Sequence, residues 1–156
     1  MISISIPVKG YVKKYLIKKY GHAPVLTKKN FIGMLVLELI SNKIDSPDKK
    51  IPQSECYTLT IPEYYFNKKG FHLSENHTKF LGACLHRLFI EEFYAFVDLE
   101  LGKKTMNAYQ AILFFFMLYD ISEDDLKIES IYRSYQRYSK ENIKAKKGHL
   151  LHRLAV

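Results

Sequence analysis

The chain opens on an alternation in which Ile2, Ile4 and Ile6 interleave with Ser3 and Ser5, the two-residue period of a strand with one buried face. Residues 2–6 are therefore predicted as a strand. From Val8 to Tyr20 the period lengthens, with Val12, Leu16 and Tyr20 four apart on one side of a helix. Pro7 suits the first turn of that helix, where a missing N–H is harmless, and Gly21 suits its end. Thr27 is the expected N-cap of a second helix over 28–41, with Phe31, Met34, Leu35, Leu39 and Ile40 as its apolar stripe.

From Asn42 to Gln53 the residues turn to Asn, Asp, Ser, Pro and Lys, which predicts an exposed loop. Tyr57–Ile61 has strand composition, and Asn67-Lys68-Lys69-Gly70 before Phe71-His72-Leu73 reads as a hairpin turn. A lone hairpin is only marginally stable, so the N-terminal strand is expected to join this sheet.

Ser74 is placed to cap a long helix over 75–101, in which Leu81, Leu85, Leu88, Phe89, Phe93, Phe96 and Val97 recur at three- and four-residue spacing before Gly102. At 1.5 Å per residue it would be about 40 Å long and form the spine of the fold. A further helix starts at Thr105 or Asn107 and runs through Tyr119. It is apolar on nearly every side, which predicts a central, buried position. After a break at Asp120-Ile121, Ser122 is the expected N-cap of a last helix with Glu123, Asp124 and Asp125 in its first turn. That helix runs to about Lys140, either continuously or with a break near Lys127. The sum is a mostly helical α+β fold of about five helices with a small antiparallel sheet or hairpin and a helix-turn-helix-like unit at the C-terminal end. Residues 1–145 are expected to form a single globular domain, with 146–156 a basic tail.

Composition supports that fold and narrows the setting. In 156 residues, 47% hydrophobic content is ample for a core, and neither repeats nor Pro/Gly-rich linkers divide the chain. Met1–Val8 lacks the three regions of a signal peptide, and the most apolar run, Ala111–Leu118, falls well short of the roughly 20 residues that span a bilayer. Cys56 and Cys84 read as free thiols in a reducing compartment. A cytoplasmic protein is expected.

The net charge of +8 is unevenly distributed. Residues 1–30 carry seven lysines and no acid, 127–156 carry eight basic residues against Glu129 and Glu141, and the middle of the chain is net acidic. Two basic ends suit a polyanionic partner, because each neutralised phosphate releases counterions.

Catalytic signatures are missing: the sequence has no phosphate-binding loop, no dinucleotide fingerprint and no nucleophile elbow. His72, His77, Cys84 and His86 are metal-ligand types, but their spacing fits no zinc pattern. The expectation is a protein that is not an enzyme and uses neither metal nor cofactor.

Two segments carry the functional reading. On the last helix Arg133 and Arg137 are four apart, with Gln136 and Lys140 beside them, so four donors could face a DNA groove or a phosphate row while Leu126, Ile128 and Ile131 pack inward. Near the other end, Lys14, Lys18 and Lys19 of the lysine- and tyrosine-rich segment 11–20 would contact phosphate. The expected partner is nucleic acid, DNA ahead of RNA, with a homodimer as a further candidate assembly and no membrane or small-molecule ligand implied. A composition rich in Lys, Ile, Tyr and Asn suits an AT-rich coding sequence, hence a small bacterial or phage and mobile-element regulator. The competing expectation is a protein-interaction module or homo-oligomeric adaptor, presenting either Tyr64, Tyr65 and Phe66 or the Tyr132, Tyr135, Tyr138 series.

Overall fold

The computed structural model describes residues 2–41 and 55–154, with side chains as far as Lys146. The loop expected over Asn42–Gln53 lies outside the described residues. Those described form a mostly helical α+β fold of six helices and a two-stranded antiparallel sheet. The chain resolves into two compact units, Met1–Glu92 and Phe93–Val156.

In the first unit, β1 (Ile2–Pro7) pairs with β2 (Cys56–Ile61) from Ile2↔Ile61 through Pro7↔Cys56. This register sets Ile4 and Ile6 beside Leu59 and Tyr57 on a common buried face, the outcome that the Ile/Ser alternation dictates. Pro7 ends β1 rather than opening a helix. The helix that follows, α1 (Gly10–Tyr20), buries Tyr11, Val12, Tyr15 and Leu16, and Gly21 ends it with φ 95° and an N–H bonded to Ile17 O.

The helix expected over 28–41 is shorter and turned. It is α2 (Phe31–Leu39), capped by Asn30, whose Oδ1 accepts the Gly33 N–H at 2.7 Å, while Thr27 Oγ1 accepts from Lys29 N–H in the preceding turn. Its buried face is Ile32, Gly33, Val36 and Leu37, whereas Phe31 and Met34 of the expected stripe are half exposed. Thr27 crosses so close to Gly33 that a Cβ there would meet the Thr27 carbonyl oxygen at 2.0 Å.

The hairpin turn expected at residues 67–70 is instead the end of a helix, α3 (Glu63–Lys69), terminated by Gly70 at φ 85°. Glu63 in its first turn and Lys68 and Lys69 in its last complement the helix dipole. Lys69 also donates to the last turn of α2, at Leu37 O (2.7 Å) and at the Glu38 carboxylate (3.2 Å). Among the described residues, Phe71–Leu73 keeps one bridge, His72 with Ser41. β2 therefore takes β1 as its antiparallel partner.

The long helix forms as expected. α4 (Glu75–Gly102) is entered at Ser74, whose Oγ accepts the His77 N–H at 3.2 Å. Leu81, Leu85, Phe89, Phe93 and Val97, each four residues from the next, are all buried. α4 supplies core residues to both units, the division falling after Glu92.

In the second unit, α5 (Ala108–Leu118) starts in a full capping box between Asn107 and Gln110. It ends in a Schellman arrangement: Ile121 N–H bonds Phe116 O at 2.9 Å, Asp120 N–H bonds Met117 O at 3.4 Å, and Asp120 takes φ 53°. Phe115 is buried against Phe93, Phe96 and Tyr119 at ring separations of 5.2, 5.3 and 4.6 Å.

α5 is not buried all round, however. Ala111, Ile112, Phe115 and Phe116 face inward, while Tyr109, Leu113, Met117 and Leu118 are exposed.

The final helix, α6, spans Ile128–Leu154. It continues beyond the Lys140 at which the sequence pattern weakens and covers most of the segment set apart as a tail. Ser122 caps only a single turn, bonding Asp125 through both its N–H and its hydroxyl at 2.8 Å, and α6 begins after the break at Lys127. Among the described residues no helix is long and apolar enough to cross a membrane.

Candidate nucleic-acid interface

Tyrosines fix the rotation of α6. Ile131 and Tyr135 are buried, one turn apart. Tyr135 donates its hydroxyl to Asp98 Oδ1 at 2.6 Å, and Tyr138 donates to Oδ2 of the same carboxylate at 3.2 Å. The Tyr138 ring stacks on Tyr94 at 4.2 Å, and the Tyr94 hydroxyl lies 2.6 Å from Ser134 Oγ. Burial, and then the hydrogen bond to Asp98, push the Tyr135 phenol well above its ordinary range, so it stays a neutral donor.

With 131, 135 and 138 turned inward, helical geometry turns 133, 137, 140 and 144 outward. Arg133, Arg137, Lys140 and Lys144 are all exposed. Their alternating four- and three-residue spacing forms a stripe roughly 16 Å long at the helical rise, and Gln136, also exposed, lies beside it. From Lys140 to Lys146 every residue but Asn142 is exposed, so this part of α6 stands clear of the core.

Arg133 pairs with Glu129 one turn earlier, and Arg137 Nε donates to Arg133 O at 3.5 Å. The acidic triplet lies in the turn ahead of α6 and not in its first turn. Glu123 Oε1 accepts the Ile128 N–H at 3.2 Å, so a carboxylate already occupies this helix N-terminus. A phosphate would meet the stripe, not the helix end. The whole connection from Tyr119 to Lys127 is longer than the three- or four-residue turn of a helix-turn-helix. The likeness to that motif is one of outline.

The lysines of α1 are arranged differently. Lys14 is half-buried and Lys18 is exposed. Lys19 pairs with Glu92, lies 3.3 Å from the Tyr15 hydroxyl and sits over the rings of Tyr15 and Tyr20. Tyr15 is fully buried and donates to Glu92 as well. A phosphate reaching Lys19 would compete with that carboxylate. The α1 and α6 donor sets lie in different units.

Among the described residues no three His, Cys, Asp or Glu side chains are grouped as a metal site would require. His86 lies 3.0 Å from the Tyr11 hydroxyl, its pKa held below the ordinary histidine value by burial and by Lys9. Sequence reasoning missed Lys144, although its spacing from Lys140 continues the stripe, because the helix was expected to end at Lys140. It also missed the tyrosine partners of Glu92 and Asp98, which are far away in sequence. No family model, curated protein or solved structure matches the chain.

Proposed function

We propose that the protein is a non-catalytic nucleic-acid-binding protein that lays the outer face of α6 against duplex DNA, as a small regulator would. The observation that supports this reading is the exposed stripe Arg133, Arg137, Lys140 and Lys144, on a helix whose inward face is fixed by tyrosine–carboxylate bonds. An α-helix fits the major groove, where the Gln136 amide can reach adenine and Arg133 and Arg137 can clamp phosphates or reach guanine. The lysines contribute phosphate contacts and salt dependence without reading sequence.

Fluorescence anisotropy with random and AT-rich duplexes tests the proposal. Neutralising about four phosphates gives a logarithmic salt slope near −3.6, or roughly a hundredfold weaker binding between 50 and 200 mM salt. The double variant Arg133→Ala, Arg137→Ala should lower that slope by about 1.8. Absence of binding at 50 mM salt, or a slope unmoved by the double variant, overturns the assignment to α6.

A second reading is favoured by the exposed stripe Tyr109, Leu113 and Met117 on α5, which has the apolar character of a protein-docking surface. This surface adjoins one member of the tyrosine series singled out in the sequence, because the Tyr109 ring meets Tyr132 edge-on at 6.1 Å. Its signature would be association with a partner protein that the double variant Leu113→Asp, Met117→Asp abolishes while DNA affinity stays unchanged.

A further inference from the structure

β1 is an open edge. On its inner side, the Val8 N–H bonds Glu55 O at 3.2 Å, which continues the β1–β2 register one pair beyond Pro7↔Cys56. In an antiparallel ladder bonded and non-bonded pairs alternate. Val8, Ile6, Ile4 and Ile2 are therefore the positions that exchange bonds with β2, while Ser3 and Ser5 turn their N–H and C=O groups, and Pro7 its C=O, the other way. The far side of β2 confirms the phase: Thr60, the partner of Ser3, bonds away from β1, donating to Pro24 O at 3.0 Å and accepting from Leu26 N–H at 2.8 Å.

That far side of β2 is thus occupied at Thr60. On the outer side of β1, α4 approaches the Pro7 end, where Gly82 lies so close that a Cβ would come within 2.7 Å of the Pro7 carbonyl oxygen. Among the described residues no backbone group bonds the outward N–H and C=O groups of Ser3 and Ser5.

Edge strands are normally protected by charge, proline or a bulge. Ile2–Ile6 has no charge and no proline, and its pairing with β2 is unbroken. Its sequence also reads the same in both directions. Two copies running antiparallel about Ile4 would set Ser3 opposite Ser5 and Ile2 opposite Ile6, each Ser3–Ser5 pair exchanging both of its N–H···O bonds. The isoleucines would then extend one apolar face and the serines one polar face, with no register conflict.

We propose that β1 pairs with β1 of a second copy about a two-fold axis at Ile4, joining two β1–β2 sheets into one of four strands. The interface is isologous, so it closes at the dimer. It is independent of the nucleic-acid reading, because it uses none of the α6 residues.

Sedimentation equilibrium of the full chain, loaded up to about 200 µM, tests it, since an interface built on one strand edge is at the small, weak end of the size range. The wild type is expected to dimerise. The double variant Ser3→Lys, Ser5→Lys sets lysine opposite lysine in both cross-strand pairs and should weaken the dimer at least tenfold. The double variant Ser3→Lys, Ser5→Glu sets lysine opposite glutamate in this register only, and should dimerise with a dependence on salt. Both positions are exposed, and far-UV circular dichroism checks that the variants fold. A wild type monomeric at every concentration, a dimer indifferent to the paired lysines, or failure of the Lys/Glu variant to restore association overturns the proposal.

Discussion

α1 and α6 each reach α4 through a tyrosine hydroxyl that donates to a carboxylate, Tyr15 to Glu92 in one case and Tyr135 to Asp98 in the other. The difference lies in what else the carboxylate holds. Glu92 also takes Lys19, so part of the positive charge of α1 is used within its own unit. Asp98 takes a second tyrosine, Tyr138, and the basic side chains of α6 remain on the outside. Two segments with nearly the same net charge thus offer a polyanion different surfaces. Charge counted along a sequence shows where cations are, while the inward partners of a helix decide which of them a ligand can meet.

The most severe test of this comparison removes the packing beneath each helix. Phe115→Ala empties a site shared by Phe93, Phe96 and Tyr119, and Phe89→Ala one shared by Tyr11 and Tyr15. Each should cost about 3–5 kcal/mol in urea unfolding. Because α4 contributes to both cores, both variants should shift a single transition. Two transitions, each moved by one variant alone, would show that the units unfold separately.

A somewhat smaller effect is expected from alkali. Tyr57 is buried and donates to Gly21 O at 3.0 Å; burial, and then Tyr20, push its phenol up to about 12. The folded pKa is raised, so the associated stability is complete below pH 10 and is lost as pH rises through 12. Wild type should lose roughly 2–3 kcal/mol more than Tyr57→Phe across that window.

Asp98→Ala leaves the buried Tyr135 hydroxyl without its acceptor and should cost about 1–3 kcal/mol, measured by urea unfolding at pH 7. The same substitution frees no cation, so the salt slope of DNA binding should not rise. Glu92→Gln weakens the hold on Lys19 and should steepen that slope if α1 takes part in binding. The smallest effect is expected at the surface. Glu129→Gln should change stability by under about 0.5 kcal/mol, yet tighten DNA binding a few-fold by releasing Arg133.

Much of the fold was legible where a single period dominates. The Ile/Ser alternation placed β1, the four-residue recurrence from Leu81 to Val97 placed α4, and Asn107, one of the two expected starts, caps α5. The reading failed where two structures share one local signal. Asn67-Lys68-Lys69-Gly70 serves a hairpin as well as a helix end, because either can use a glycine at positive φ. Periodicity could not choose a face for α5, since every side of it is apolar. α6 outran its predicted end because residues 139–149 are mostly polar and give no inward stripe to follow. Arg133, Gln136, Arg137 and Lys140 were identified as one exposed set. Their anchoring through Asp98 depends on residues nearly forty positions apart, which local pattern does not connect.

The close crossing of Thr27 over Gly33 bears on how the chain can diverge. At position 33 only a hydrogen fits, because a Cβ would overlap a backbone oxygen at 2.0 Å that has no side-chain freedom to yield. Gly102, with nothing within 4 Å of its would-be Cβ, carries no such restriction. A selected library randomised at both sites should recover glycine alone at the first and a broad alphabet at the second. The start of α2 is then a fixed point in sequence drift, while the end of α4 is open ground.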